Sequence, residues 1–138
     1  MLKFEKYVVG SGETEGYKAL KATIPQEDEY MHYRLDGNCL KDCEDIFFVA
    51  HEDGKALCRI WMCYPRHENP IANWGAVYTL EECRGRGICN KTLAFCIEEI
   101  EKLENSPLGL FCTSGMQWVT DMYTKFGFKT AIHEQNAF

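Results

Sequence analysis

The chain has 138 residues, of which 46% are hydrophobic and 26% are charged, as is typical of one globular domain with a sizeable core. Its net charge of -6 argues against a general nucleic-acid-binding protein, because such proteins usually carry a basic face. No apolar run approaches the roughly 18 residues that a membrane-spanning helix needs, so no membrane partner is expected.

The first 42 residues predict one strand followed by a helical region. Three charged residues interrupt the apolar stretch at residues 3–9, which favours a strand and does not fit a secretion signal. Residues 10–16 form a glycine-containing turn. The helical pattern from residue 17 to about residue 42 is interrupted by Pro25 and by the turn at residues 36–38, which predicts one or two short helices.

Three consecutive strands follow this helical region. Residues 45–51 and 55–64 are apolar runs separated by a Glu-Asp-Gly turn, which indicates a β-hairpin. Residues 65–70 form a loop, and residues 72–80 predict the third strand.

Helices and strands alternate in the rest of the chain. After Gly87 the apolar residues recur at spacings of three and four, which predicts an amphipathic helix. Residues 108–113 then predict a short strand, residues 117–126 a second helix that ends at a glycine, and residues 128–133 a final strand. This order predicts a single α/β (α+β) domain over residues 1–138, with a mixed, mainly antiparallel central sheet flanked by helices.

The eight cysteines do not have the spacing of a metal site. The pairs Cys39/Cys43 and Cys58/Cys63 have three and four intervening residues, and no Cys-x2-Cys pair occurs. Without a secretion signal, free thiols in a reducing cytoplasm are the better interpretation, and no metal is expected.

The segment EECRGRGIC, residues 81–89, lies between a predicted strand and a predicted helix. The first N–H groups of a helix have no partner within the helix, and the helix dipole adds positive charge there. Gly85 and Gly87 remove side chains beside this backbone, while Arg84 and Arg86 add charge, so the segment can bind a phosphate or pyrophosphate. The alternative is a tight turn with two solvated arginines. Neither a Walker loop nor a complete dinucleotide motif is present.

Residues 77–89 resemble the acetyl-CoA-binding segment of the GCN5-related N-acetyltransferases, which reads Arg/Gln-x-x-Gly-x-Gly/Ala. Arg84, Gly87 and Cys89 occupy its three defined places. A second segment, MYTKFGF at residues 122–128, is similar to the family's Tyr-x-Lys-x-Gly-Phe. The two motifs have the order and the intervening elements that the family requires.

Several positions depart from the family pattern. Cys89 replaces a small Gly or Ala and is expected to narrow the space beside the pyrophosphate, although a small buried residue is the simpler account. Glu81 stands where a proline is common. An asparagine often found before the C-terminal tyrosine is absent, and Ser114 lies in that region. Because 10 residues follow Phe128, a short or missing last strand is expected. The position of Cys83 and Cys89 at a helix N-terminus also makes a reactive thiol conceivable.

The resemblance implies that acetyl-CoA lies between two splayed strands, the first of which has a β-bulge and leads into the pyrophosphate-binding turn. An N–H group near Val77 or Tyr78 would polarise the thioester carbonyl while a neutral amine attacks it directly. The implied cofactor-binding residues are Val77, Tyr78, Thr79, Arg84, Gly85, Arg86, Gly87, Ile88, Cys89, Asn90 and Ser114.

The catalytic residues are less well defined than the cofactor site. The resemblance implies that Tyr123 is the general acid that protonates the departing CoA thiolate, whereas a packing role is the alternative. The strand before the turn contains no carboxylate or histidine, so Glu81, Glu68 or His67 are candidate bases, with water relay as another route.

The expected activity is transfer of an acetyl group from acetyl-CoA, the co-substrate, to a primary amine of a small molecule or peptide. A non-catalytic CoA-binding regulatory module of the same fold is the alternative. The negative net charge weakly favours a polyamine, an aminoglycoside-like compound or a basic peptide as acceptor. Nucleic acid is not an expected partner, and a homodimer is an expectation of the family.

Overall fold

The computed structural model describes residues 1–65, 71–114 and 116–130. Its elements in chain order are β1 (Lys3–Val8), α1 (Glu15–Thr23), α2 (Glu29–Leu35), β2 (Cys43–Glu52), β3 (Lys55–Pro65), β4 (Ile71–Thr79), a 3₁₀ turn (Glu81–Cys83), α3 (Ile88–Glu101), β5 (Gly109–Phe111) and α4 (Gln117–Lys125). The predicted helical region is thus two helices. Thr14 and Asp28 cap their N-termini by accepting hydrogen bonds from backbone N–H groups, and α1 stops at Ile24, directly before Pro25.

The five strands form one sheet in the order β1-β2-β3-β4-β5. The first four are antiparallel neighbours, and β5 lies parallel to β4 after the α3 crossover. This confirms the mixed, mainly antiparallel sheet flanked by helices. No helix in the described ranges combines the length and apolar character needed to span a membrane.

Both faces of the sheet are covered, because side chains alternate along each strand. Phe47, Val49 and Trp61 point to the face that α1 and α2 cover. Ile46, Phe48, Ile60 and Met62 point to the opposite face, where residues of α3 and α4 complete the core. The central strands are therefore buried on two sides.

Strands β4 and β5 pair over only a short distance. Ile71–Asn73 is matched with Gly109–Phe111, and beyond Asn73 no strand in the described part of the chain pairs with this side of β4. On its other side β4 contains a bulge, because two residues, Ala76 and Val77, lie between Gly75 and Tyr78, whereas only Ile60 lies between their partners on β3. Ala76, within the bulge, has a φ of 48°. The bulge implied by the resemblance is confirmed, and the two strands diverge to leave a cleft.

The predicted final strand is not found where the structure describes it. Residues 128–130 are irregular, and residues 131–133 lie outside the described residues. The reason is the cap of α4: Gly127 has a φ of 93°, and the Phe128 N–H donates to the Tyr123 carbonyl at 3.2 Å. This Schellman arrangement uses the backbone N–H that a strand would need.

Candidate active site

The diverging strands enclose a groove of about 500 Å³. Its lining comes from β3, from residues 73–77 of β4, from the end of β5 and the residues after it, and from α4. The lining residues are Trp61, Asn73, Trp74, Gly75, Ala76, Val77, Phe111, Thr113 and Tyr123. Four aromatic side chains line the groove together with polar groups such as the side chains of Asn73 and Thr113. One wall is the backbone of β4 beyond Asn73, to which an extended ligand can add as a strand does.

The turn after β4 presents backbone N–H groups to solvent. Gly85 and Gly87 have φ values of 76° and 72°, in the region that glycine adopts without strain. Gly87 caps α3 with no side-chain hydrogen bond, so the first N–H groups of the helix have no side-chain cap. A Cβ added at either glycine would meet no protein atom within 4 Å. The space beside this backbone is open to a ligand.

The two arginines of the turn fold back onto the protein. The Arg84 Nε donates to the Thr79 carbonyl at 3.3 Å, and its guanidinium lies 5.8 Å from the centre of the Tyr78 ring. The Arg86 Nη1 lies 3.8 Å from the Cys83 sulfur. Ile88 is buried in the core, so only its backbone can contact a ligand, whereas Asn90 is exposed. Backbone groups thus dominate this site, with the arginines at its border.

Cys89 is directed into the protein and does not lie across the mouth of the turn. Its sulfur is 3.8 Å from the Met122 sulfur and shares a hydrogen bond with the buried thiol of Cys58. That hydrogen bond lowers the pKa of Cys89 to about 7, and a hydrogen bond with Thr79 acts in the same direction. The expected narrowing of the pyrophosphate space is therefore not found, because the side chain fills the gap between β3 and α4.

Tyr123 connects α4 to the groove. Its side chain is 7% exposed, and its ring meets Trp74 edge-on with 5.0 Å between ring centres. Phe128 packs against both rings and holds the Schellman cap below them. Burial raises the pKa of Tyr123, so the phenol remains protonated at neutral pH. No hydrogen bond to its hydroxyl occurs among residues 1–65, 71–114 and 116–130.

The other predicted site residues have mixed positions. Glu81 is exposed at the 3₁₀ turn and is not part of the groove lining, while Glu68 and His67 lie outside the described residues. None of the groove-lining residues named above is a carboxylate or a histidine. Ser114 is buried and donates to the Met116 carbonyl at 3.0 Å, so its hydroxyl supports the start of α4.

Sequence reasoning missed a set of charged residues on the α1/α2 face of the sheet. Arg34 and the Trp61 indole both donate to Oδ1 of the fully buried Asp45, at 2.7 and 2.8 Å. Nearby, Arg59 lies 3.6 Å from Asp28. The available signal was a charged residue in the middle of an apolar strand, as Arg59 is in KALCRIWMCY.

The amino-acid sequence matches a known family model. The model of the acetyltransferase (GNAT) domain matches residues 43–130, which is more than half of the chain. The chain belongs to the GNAT family. The matched range contains the sheet from β2 to β5, the glycine-rich turn and the whole of α4, so it includes the groove of this GNAT domain. No curated protein sequence matches the chain.

Solved structures agree with the GNAT fold. An acyl-CoA N-acyltransferase from Pseudomonas aeruginosa has a TM-score of 0.69 at 14% identity, over 97% of this chain and 92% of that one. An acetyltransferase from Clostridium acetobutylicum, solved with acetyl-CoA, has a TM-score of 0.61 at 15% identity, over 99% and 96%. Glucosamine-6-phosphate N-acetyltransferase from Arabidopsis thaliana has a TM-score of 0.61 at 12% identity, over 100% and 98%. At these identities the likeness concerns the fold.

Proposed function

We propose that this GNAT domain transfers the acetyl group of acetyl-CoA to a primary amine of a small molecule or peptide. The observation that carries the proposal is the groove between β4 and β5, with a bulge in one wall and the open N-terminus of α3 at its end. Family membership and the acetyl-CoA complex of the Clostridium acetobutylicum neighbour support the same cofactor. Tyr123, a possible proton donor for the leaving thiolate, lines the groove beside the bulged strand, which supports catalysis of the transfer.

In this proposal acetyl-CoA binds along the unpaired side of β4. The pantetheine amides pair with main-chain groups of Val77 and Thr79, as an added strand does. The pyrophosphate binds the N–H groups from Gly85 to Asn90, where the helix dipole favours negative charge. This placement uses the open space beside the two glycines of the turn.

The reaction is a direct displacement at the thioester carbonyl. The neutral amine nitrogen forms a bond to the carbonyl carbon, and the oxygen becomes negative while an N–H group near Val77 or Tyr78 donates to it. The carbonyl then re-forms as the C–S bond breaks, and the CoA sulfur takes the proton of the Tyr123 hydroxyl. The Tyr123 oxygen afterwards regains a proton from solvent. The raised pKa of Tyr123, caused mainly by burial, supports this role because the proton is present at neutral pH.

The amine must also lose a proton during the reaction. The groove-lining residues offer no carboxylate or histidine to take it. We propose that water carries this proton to solvent, with Glu81 or Glu68 as the nearest candidate base in the sequence. Because none of the described groove-lining residues can act as a base, the pH dependence of the rate should follow the pKa of the acceptor amine.

The same lack of a base favours a second candidate, a CoA-binding regulatory module without turnover. Isothermal titration with acetyl-CoA, followed by a thiol-release assay on a panel of amines, separates the two. Acetyl-CoA binding together with thiol release on at least one amine supports the enzyme. Binding without release on any amine supports the module, and an absence of binding contradicts both.

A further inference from the structure

We propose that the acceptor carries an anionic group, a carboxylate or a phosphate, and that Arg59 binds it. This inference rests on the proposed acetyltransferase function, because it concerns the second substrate of the same groove. It also reverses the sign of the acceptor charge that the net charge of the chain favours.

Arg59 lies beside the bulge and next to the groove. It is opposite Tyr78 of β4 in the register, and it is two residues from Trp61 on the same face of β3. Trp61 lines the groove. Since two residues of a strand span about 7 Å, the Arg59 backbone is about that far from the groove wall, within the length of a small acceptor molecule.

The guanidinium of Arg59 is largely buried, and its pairing within the described residues is incomplete. Its side chain is 11% exposed, and its Nε is buried with no hydrogen-bond partner in the part of the chain that the structure describes. Burial lowers its pKa. Five N–H donors on a buried cation ordinarily bind acceptor oxygens, because an unpaired buried charge is costly. The group is therefore suited to an external anion.

Asp28 lies beside Arg59 but does not form a hydrogen bond with it. The Asp28 Oδ2 is 3.6 Å from the Arg59 Nη2, longer than an ordinary hydrogen bond. The other oxygen, Oδ1, accepts the Met31 N–H at 3.1 Å as the cap of α2. Arg34, by contrast, makes two hydrogen bonds to Oδ1 of Asp45. Arg34 is thus neutralised within the fold, whereas the Arg59 Nε has no hydrogen-bond partner among the described residues.

The surroundings of Arg59 suit a small anion attached to an amine. Its guanidinium lies 5.2 Å from the centre of the Tyr78 ring, and that residue is 39% exposed. Tyr30, 57% exposed, meets Trp61 edge-on and extends the aromatic surface. A polycationic acceptor would find no carboxylate among the groove-lining residues. An acceptor with an anionic group would place that group on Arg59 and its amine in the groove.

The test compares acceptors that differ only in charge. At saturating acetyl-CoA, steady-state kinetics are measured for amino acids against their amides and for amino-sugar phosphates against the free amino sugars. The wild type should prefer the anionic member of at least one type of pair, and the type identifies carboxylate or phosphate. R59Q should raise KM for that acceptor about tenfold to a hundredfold, the range for hydrogen bonds to a charged group. Its kcat, its KM for acetyl-CoA and its KM for the neutral acceptor should change little.

Two further variants complete the design. K55Q removes the same charge from an exposed position of the same strand and should leave every constant unchanged. R59K keeps the charge but loses the two-pronged donor geometry, so it should retain part of the preference for the anion. If R59Q does not fold, as judged by thermal melting, the same KM values are compared between the wild type and R59K.

Several results would overturn the inference. The first is equal KM values for the charged and neutral acceptors in the wild type. The second is an equal rise of both KM values in R59Q. The third is a rise only of the KM for acetyl-CoA, which would assign Arg59 to cofactor binding. Failure to bind acetyl-CoA contradicts the proposed function itself. If acetyl-CoA binds but no amine reacts, titration of the CoA complex with the same pairs decides: anion binding that R59Q abolishes supports the Arg59 site, and its absence refutes it.

Discussion

Replacing Tyr123 with phenylalanine removes one hydroxyl group from the groove and leaves the ring in place. The ring keeps its contacts with Trp74 and Phe128, at 5.0 and 5.7 Å between centres. The hydroxyl makes no hydrogen bond within the described residues, so its loss should change the free energy of unfolding by less than about 1 kcal/mol. The structural cost is therefore small, and a change in rate can be assigned to the lost proton donor.

The expected loss in kcat of the Tyr123 variant is about 10²-fold to 10⁴-fold, the usual contribution of a positioned general acid. Its affinity for acetyl-CoA should be unchanged by titration calorimetry. Burial raises the pKa of Tyr123 above its ordinary value of 10.0, so the wild-type rate should not fall through loss of this proton below pH 10. Because the pKa of Tyr123 is higher in the folded than in the unfolded state, the free energy of unfolding does not change through this group below pH 10 and falls only above pH 10.

The matched control is Tyr17→Phe in α1, which removes a phenol hydroxyl on the opposite face of the sheet. It should leave kcat unchanged in the thiol-release assay. An unchanged kcat in Tyr123→Phe would refute the acid role and favour packing alone. A large fall in stability together with kcat would show that the hydroxyl is structural.

Three further predictions concern the turn, the buried ion pair and the reactive thiol. Gly87→Ala should raise KM for acetyl-CoA. The control Gly54→Ala has a nearly equal positive φ and equally open space, so it should cost a similar amount of stability, about 1–2 kcal/mol, without changing KM. Equal effects of the two variants on KM would contradict the proposed pyrophosphate site. Asp45→Asn should destabilise the fold by about 3 kcal/mol in urea unfolding, since it leaves Arg34 buried without a counter-charge; a loss below about 1 kcal/mol would contradict this. Alkylation of Cys89 should rise through a midpoint near pH 7, and a midpoint above pH 8.5 would contradict the Cys58 hydrogen bond.

Local patterns predicted the elements that position the site. The Asp-Gly turn fixed the β2–β3 hairpin, the change of apolar spacing after Gly87 marked the start of α3, and Gly127 marked the end of α4. Such signals act between residues close in the chain, where turn chemistry and side-chain periodicity determine structure. The glycine-rich turn and the neighbourhood of Tyr123 were therefore predictable.

The charged contacts near the groove were not predictable in the same way. Asp28 meets Arg59, and Arg34 meets Asp45, only because the α1/α2 region folds over the sheet. The inward direction of Cys89 likewise depends on β3 and α4, which the turn sequence does not describe. The expected strand at residues 128–133 failed at its start because the Phe128 N–H serves the helix cap, a competition that β propensity alone does not reveal.

The most direct test of acetyl transfer is a single reaction analysed for both products. The protein is incubated with acetyl-CoA and an amine panel that includes amino acids and amino-sugar phosphates, and free CoA thiol and acetylated amine are quantified together by mass spectrometry. One equivalent of acetylated amine is expected for each thiol released, at a rate that Tyr123→Phe reduces about a hundredfold or more. Thiol release without an acetylated amine, or bound acetyl-CoA that reacts with none of the amines, would contradict it.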